Sequence, residues 1–557
     1  MRKRPAIPER NAVSEADRIT PSYRPRQMEK TAPCQIGCAN CGDIRGWIGT
    51  VAQRAKTGLS QEQAFTHAWQ MITEVNPFPA TLGRVCPHPC EDLCNRAHLD
   101  EPLSINAMER FLGDWAIQNK VPLPLQEEDR KAQWLGVVGA GPSGLSFAYQ
   151  MARRGYRVTV YESKEKAGGM LRYGVPDYRL PQEVLDAEIN NILKCGVELQ
   201  LETRLGRDIT LEQLRKRHTA LFLGIGAQSG RMLGLPGEVG PSVWNGTNYL
   251  ARVNRGEEID LGKRVIVIGG GNTAVDAARC ARRSGADVVI LYRRSRAEMP
   301  ATSQEIDDAL EEGVELVFLV APVRLERAKD KKLTGLTACR MALGEKDESG
   351  RCKPQAVRGS EFMVPTDSLI SAVSQQPVLT GLENLKHEGN WLLTDIHGSL
   401  DDGVLAGGDA LGLGIAGTAI LQGRRAAEDL HDRFSGIEHT EAMEVGKAIG
   451  PDRVRFDSKA ESLAIHPGKL DGEERVRLGS AEVTATINGQ QFLAEVERCF
   501  SCGSCHGCEQ CFMYCTTGCF TKLDEVSPGA YFSIALDHCH ECGKCIEVCP
   551  SGFLEES

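Results

Sequence analysis

Two glycine-rich turns, each following a short apolar strand (Leu135–Val138 and Val265–Ile268), and two dense cysteine groups near opposite ends of the chain predict an α/β fold of several domains. Two Rossmann-like units form its centre, with a small helical module before them and a cysteine-dense module after them. At 557 residues the chain is too long for one hydrophobic core.

Residues 1–30 read as a basic extended arm, solvated from Arg2 to Arg26. No apolar stretch follows this charge, so it does not read as a secretory signal, and the cytoplasm is the expected compartment. The formal net charge of -10 gives no reason to expect nucleic acid or an anionic membrane as partner. The most apolar segment, Leu135 to Ala152, is interrupted by glycines and Pro142, and no membrane span is expected. Of the 21 cysteines, six lie between Cys34 and Cys94 and eleven between Cys499 and Cys549. In a large cytosolic chain such groups read as metal ligands, and the scattered Cys195, Cys280, Cys339 and Cys352 as inert core.

Residues 31–128 show helical periodicity, as in Ile48, Val51, Ala52 and Ala55, broken by proline turns that carry cysteines. From about Trp134 to Glu428 strands alternate with helices. Residues 436–495 have no clear period and read as a linker, and residues 496–557 are too poor in aliphatics to fold without a metal core.

The first glycine turn reads Gly139-Ala140-Gly141-Pro142-Ser143-Gly144, and the next strand, Arg157 to Tyr161, closes on Glu162. That order suits a dinucleotide whose pyrophosphate sits on a helix N-terminus and whose ribose bonds the acid. The second reads Gly269-Gly270-Gly271-Asn272-Thr273-Ala274, and its following strand ends in Arg293-Arg294-Ser295-Arg296. Arg293 and Arg294 at that point favour a 2′-phosphate, hence NADP; a solvated turn, with NAD or either nucleotide bound, is the alternative. Further on, Gly403 to Asp409 looks like a strand ending in an acid, and a helix starts near Thr418. Asp409 there suits a flavin's ribityl-phosphate region, and the helix start, with Gly408, Gly417, Thr418 and Ala419, suits the isoalloxazine. An FAD domain split into residues 129–258 and 381–435 around an NAD(P)-binding domain at 259–380 is the expectation.

At the C-terminus, Cys539-x2-Cys542-x2-Cys545-x3-Cys549-Pro550 reproduces the bacterial ferredoxin run. Cys505, Cys508, Cys511 and Cys515 share the spacing, with Thr516 in place of proline. Because the fourth cysteine of each run ligates the other cluster, one 4Fe-4S cluster takes Cys505, Cys508, Cys511 and Cys549, and the other Cys539, Cys542, Cys545 and Cys515. Cys499, Cys502 and Cys519 are left without a role.

With these parts the chain resembles the two-dinucleotide-binding-domain flavoproteins. Gly168 to Pro176, Gly269 to Asp276, Gly83 to Pro87 and Asn106 to Phe111 resemble the small subunit of NADPH-dependent glutamate synthase over about residues 30 to 430. The resemblance implies FAD in the outer unit, with Gly169, Met170 and Arg172 among its contacts, NAD(P)H in the inserted unit, and four-iron clusters beside the flavin. It places Cys38, Cys86 and Cys90 on one cluster with Glu109 as fourth ligand, and Cys34 and Cys94 on a second. The cysteine pair that precedes Cys34 in that family is missing here, so the total is three or four clusters, with Cys41 the candidate replacement. Zinc in this region, or a radical S-adenosylmethionine site at Cys34-x3-Cys38-x2-Cys41, are the alternatives.

The function expected is an NAD(P)H:acceptor oxidoreductase in which FAD mediates between hydride and single electrons, without acid–base residues; His67, His88, His98 and His538 are given no catalytic part. An electron-wiring subunit without turnover of its own is the other reading. The partner is a redox protein or ferredoxin, and a homodimer is left open. With its C-terminal two-cluster module and the arm Ile19 to Arg26, the chain as a whole is similar to the flavoproteins that partner reverse-acting dissimilatory sulfite reductase in sulfur oxidation. Subunits coupling 2-oxoacid:ferredoxin oxidoreductases to NAD(P) share this plan.

Overall fold

The computed structural model describes residues 23–347, 350–437 and 448–556. Its first α/β unit is a six-stranded sheet in the order Ser399–Asp401, Val404–Ala406, Ala220–Leu223, Trp134–Val138, Arg157–Tyr161 and Val197–Gln200. All pairings are parallel except that of the first two strands. Apolar runs form the central strands because helices cover the sheet: Pro142–Ala152 packs against Ala416–Ser435, and Phe147 stacks on Phe222 at 4.5 Å.

The second unit is a fully parallel sheet in the order Glu315–Phe318, Asp287–Tyr292, Arg264–Ile268, Ser368–Ser371, Val243–Asn245. An antiparallel sheet, Val320–Arg327, Leu333–Lys346, Cys352–Ala356 and Phe362–Pro365, is appended to it. The chain passes between units at one short antiparallel pair, Ser229–Gly230 with Gln375–Gln376. The expected boundary at 258/259 is therefore corrected: Val243–Asn245 and the helix Gly246–Val253 belong to the inserted unit, whose sheet needs that strand as its edge. Arg179 joins the units by pairing with Asp276 at 2.8 Å and Glu305 at 3.0 Å.

The N-terminal module is helical. Gln61–Val75 begins with a capping box from Ser60 and Gln63, and its buried Phe65, Ala68 and Ile72 meet Trp47, Ile48, Met108 and Leu112. That core is completed by Ile487, Phe492 and Val496 from far along the chain. Residues 448–495 are thus a strap rather than a linker, a second correction. Glu482 pairs with Arg84 and Arg110 at 2.7 and 2.9 Å, and Arg475 and Lys469 both meet Asp308 of the inserted unit, at 3.2 and 3.0 Å. Partners this distant in sequence give no local period, which hides the strap from sequence reading. Residues 438–447 lie outside the described residues.

The described part of the basic arm is docked through its backbone, while Arg24 and Arg26 stay exposed as expected. Pro25–Gln27 pairs antiparallel with Leu554–Glu556, Arg26 and Lys30 reach Glu555 at 2.5 and 3.1 Å, and Arg24 reaches Glu541 at 2.9 Å. Arg2 to Ser22 lie outside the described residues. Among the described residues no helix is long and apolar enough to cross a membrane.

Candidate redox site

A cavity of about 360 Å³ opens where the first glycine turn meets the helix Pro142–Ala152. Gly139, Gly141, Glu162, Gly169, Met170, Gly408, Asp409 and Ala419 line it. Two glycines make it possible. Gly139 has φ +99°, and a Cβ there would lie 2.3 Å from the Gly224 carbonyl oxygen; Gly169 has φ +54°, and its Cβ would lie 2.7 Å from the Gly141 Cα. Gly144 does not line the cavity but lets the helix approach the turn, since a Cβ there would fall 2.0 Å from the Gly139 oxygen. Glu162 is buried and accepts from Ala140 N at 2.8 Å and Lys164 N at 2.9 Å. Asp409 Oδ1 accepts from Gly414 N at 3.1 Å, and burial raises its carboxyl. Ser143, also lining the cavity, has a buried Oγ without a hydrogen-bond partner among the described residues, on the first turn of a helix whose free N–H groups suit an anion. The cradle, the orphaned hydroxyl and the acid fit a dinucleotide. Arg172 is corrected: it is buried away from the cavity, where its guanidinium meets the Ala167 carbonyl, Gln182 at 2.6 Å and Asp186. It braces its own turn.

In the inserted unit, Gly271 caps the helix Asn272–Arg283, and a Cβ on Gly271 would meet nothing within 4 Å, so the helix start is open. Gly269 has φ +148°. Asn272 is exposed and Thr273 half-buried, whereas Ala274 is fully buried and packs beneath the turn. The arginine pair is split. Arg294 is buried, donating to the Cys352 carbonyl at 2.8 Å and to Asp347 at 2.6 Å, and this corrects its expected place at a 2′-phosphate. Arg293 is exposed and has no ion-pair partner among the described residues. Arg296 pairs with Asp307 at 2.5 Å.

A second cavity, of about 50 Å³, lies between the helical module and the first unit. Cys38, Cys86, Cys90 and Glu109 line it, together with Gly417. Cys38 caps the helix Pro33–Gly37 and Cys90 lies on Pro89–Asp92; the two helices touch so closely that a Cβ on Gly37 would sit 2.9 Å from the Cys90 Cα. Glu109 is held by Asn76 Nδ2 at 2.8 Å, and burial pushes it up to about 7. Burial likewise pushes Cys86 up to about 12 and raises Cys38 and Cys90, so ligation has to drive deprotonation. Three thiols and a carboxylate form a donor set that fits an iron–sulfur cluster.

Cys34 and Cys94 line a third cavity, of about 30 Å³, which they share with Cys499 and Cys502. Cys41 is exposed, with φ +53°, and lines neither cavity. Cys34 and Cys38 therefore open into different spaces, which removes the radical S-adenosylmethionine reading. Cys499 and Cys502 were missed from sequence, although their x2 spacing continues directly into Cys505, Cys508 and Cys511. In the C-terminal module Cys505, Cys508, Cys511 and Cys549 line a fourth cavity of about 20 Å³. Burial, with the like charge of Cys542, Cys515 and Cys539 added to it, carries the Cys545 thiol to about 11. At Cys515 burial acts upward but is outweighed by hydrogen bonds from Thr517 and the Cys519 N–H, at 3.6 and 3.2 Å, which bring it to about 7. Among the described residues no three His, Cys, Asp or Glu side chains converge as a single bare ion needs; the thiols ring cavities instead.

Residues 135–424, which hold both glycine turns and the Asp409 strand, match the pyridine nucleotide-disulphide oxidoreductase family. The chain belongs to this family. As a pyridine nucleotide-disulphide oxidoreductase relative it uses FAD and NAD(P)H. Residues 4–121 match dihydropyrimidine dehydrogenase domain II, 4Fe-4S cluster, and residues 532–555 a 4Fe-4S binding domain, so iron–sulfur clusters belong to both ends. The glutamate synthase [NADPH] small chain of Azospirillum brasilense is 32% identical over 424 residues, 72% of this chain and 85% of that protein. The NADPH-Fe(3+) oxidoreductase subunit beta of Geobacter sulfurreducens is 39% identical over 356 residues, 63% of this chain and 52% of that protein. The NADP(+)-dependent formate dehydrogenase subunit beta of Moorella thermoacetica is 38% identical over 433 residues, 71% of this chain and 59% of that protein. The chain thus spans only about half the length of the first of these beta subunits.

Proposed function

We propose that this chain is a cytoplasmic NAD(P)H:acceptor oxidoreductase that passes electrons from the nucleotide to a separate redox protein. One observation carries the reading. Gly417 and Ala419, two residues apart on the first turn of the helix Ala416–Ser435, line different cavities: Gly417 the one with Cys38, Cys86 and Cys90, Ala419 the one with the dinucleotide cradle. A single helical turn therefore separates the two redox sites. Bound FAD supplies the conversion between a hydride, two electrons with a proton, and the single electrons that clusters carry.

The chain's own residues bind and orient. Gly139, Gly141, Gly169 and the Ser143 hydroxyl suit the pyrophosphate of the first dinucleotide, Glu162 its ribose and Asp409 the ribityl end. Gly269, Gly271, Asn272 and Thr273 cradle NAD(P)H, and Arg293 selects the 2′-phosphate. Cys542 is exposed, and the nearby Met513 and Tyr514 are more than half exposed, which suits the C-terminal module as the outlet to a partner. The names of the beta-subunit and small-chain relatives favour work within a larger assembly. The acceptor is proposed as a class, an iron–sulfur protein or partner enzyme, with dissimilatory sulfite reductase one candidate.

Anaerobic addition of NADPH, and separately NADH, to the iron-loaded chain tests this. Flavin bleaching followed by cluster spin signals is expected. Bleaching by neither nucleotide overturns the reading in favour of a wiring subunit.

A further inference from the structure

The third cavity is assembled from residues about four hundred positions apart. Pro33–Gly37 and Pro89–Asp92 are single-turn helices. Cys34 and Cys90 are the second residues of these turns, and Cys38 and Cys94 follow their ends, each pair separated by x3. Four residues of helix rise about 6 Å, so each turn carries one thiol towards either end. Cys38 and Cys90 face the flavin side, and Cys34 and Cys94 the opposite side. There the strap ends: after the helix Gly489–Glu497, Cys499 and Cys502 enter the same space.

The placement of these two cysteines is built. Arg45 is buried and donates to the Cys502 carbonyl at 2.9 Å and the Lys30 carbonyl at 2.5 Å. Buried Arg96 holds the Arg498 carbonyl at 3.1 Å, and Arg498 in turn meets Asp100 at 3.0 Å and Glu495 at 2.6 Å. Asn95 Nδ2 lies 3.6 Å from the Cys502 sulfur. Both Arg45 and Arg96 line the cavity, so the anionic charge of four thiolates would meet two cations. Besides these and Asn95 the lining is apolar, with Ala32, Pro33, Ile48, Leu103, Ile105 and Phe500, and keeps out water.

We propose that Cys34, Cys94, Cys499 and Cys502 bind a four-iron cluster, with the C-terminal strap supplying the two ligands that the N-terminal module lacks. This rests on the iron–sulfur reading given above and extends it. The site lies one helical turn beyond the Cys38, Cys86 and Cys90 cavity, and Cys502 is three residues from Cys505 of the C-terminal module. The four cavities then follow one another from the dinucleotide into the C-terminal module, and the strap is what joins the two halves of the series.

The test is anaerobic reconstitution of the full chain, with iron, acid-labile sulfide, zinc and bound flavin counted and cluster spins recorded after dithionite reduction. The wild type should hold about sixteen irons per chain and the double variant Cys499→Ser/Cys502→Ser about twelve, with one spin signal lost and flavin retained. Cys34→Ser/Cys94→Ser should lose the same signal as Cys499→Ser/Cys502→Ser and retain the Cys38-side signal, while Cys41→Ser and Cys519→Ser should lose none. About twelve irons in the wild type, an unchanged count in the double variant, or one zinc per chain released by it overturns the proposal. If the double variant fails to retain flavin, the wild-type count and Cys41→Ser decide. A loss of about four irons in a chain whose flavin neither nucleotide bleaches leaves this site standing and removes the functional reading instead.

Discussion

Phe492 lies on Phe111 with ring centroids 4.5 Å apart and planes at 24°, while Phe65 meets both rings edge-on at 5.2 and 5.5 Å. Phe492 is fully buried, so the strap is anchored by an aromatic cluster as well as by ions.

Truncating that anchor should release the strap. Phe492→Ala is expected to cost about 3–5 kcal/mol locally. Hydrogen exchange over residues 489–497 should rise, and the iron of the Cys499 cavity should fall, while flavin content stays unchanged.

The two neighbouring arginines separate nucleotide choice from stability. Arg293→Gln should lower the NADPH over NADH preference in kcat/KM by about tenfold or more, the worth of one charge-assisted bond. Arg294→Gln should leave the preference alone and lower stability by about 1–3 kcal/mol, because Asp347 and the Cys352 carbonyl lose the Arg294 guanidinium as one of their donors. Thermal unfolding and steady-state rates with both nucleotides decide.

At the shared helical turn, a Cβ on Gly417 would already sit 3.4 Å from the Ala39 Cβ. Gly417→Leu should therefore fill the Cys38 cavity: about four irons per chain are lost while flavin is retained and still bleached by NADPH. Unchanged iron would count against the placement.

His218 packs beneath the first sheet, against Trp134 at 4.8 Å and within 2.9 Å of the Tyr161 hydroxyl. Burial, then the charge of Arg217, pulls its pKa down to about 4. A depressed pKa means that folding favours the neutral ring, so its contribution is complete above about 6.5, the unfolded value, and is lost as pH falls towards 4. The stability of the wild type should drop across that window relative to His218→Gln, measured by denaturant unfolding at pH 7 and pH 4.5.

The sheets and both glycine turns were legible because apolar strands bounded by glycines leave a local signature. Asp409 could be placed because its strand and the next helix repeat that pattern. What escaped reading depended on direction or distance. Arg293 and Arg294 are adjacent at a strand end, where successive side chains face opposite ways, and no local pattern says which one meets Asp347. Glu482 and Glu495 read as linker charge because their cations, Arg84, Arg110 and Arg498, lie on other elements or at the end of the strap. Cys499 and Cys502 were left over because two ferredoxin runs had already used the cysteines around them.

The cavity of Cys34, Cys94, Cys499 and Cys502 also sets an order of events during biosynthesis. Two of its thiols leave the ribosome first, and the other two emerge some four hundred residues later, roughly 20–80 s at about 5–20 residues per second. Until then the nascent module carries a half-built, solvent-open pair of cysteines, and metal delivered to it has no complete nest. Closure of this site is thereby tied to synthesis of the chain as far as Cys502, and a chain stopped short of Cys499 cannot close it.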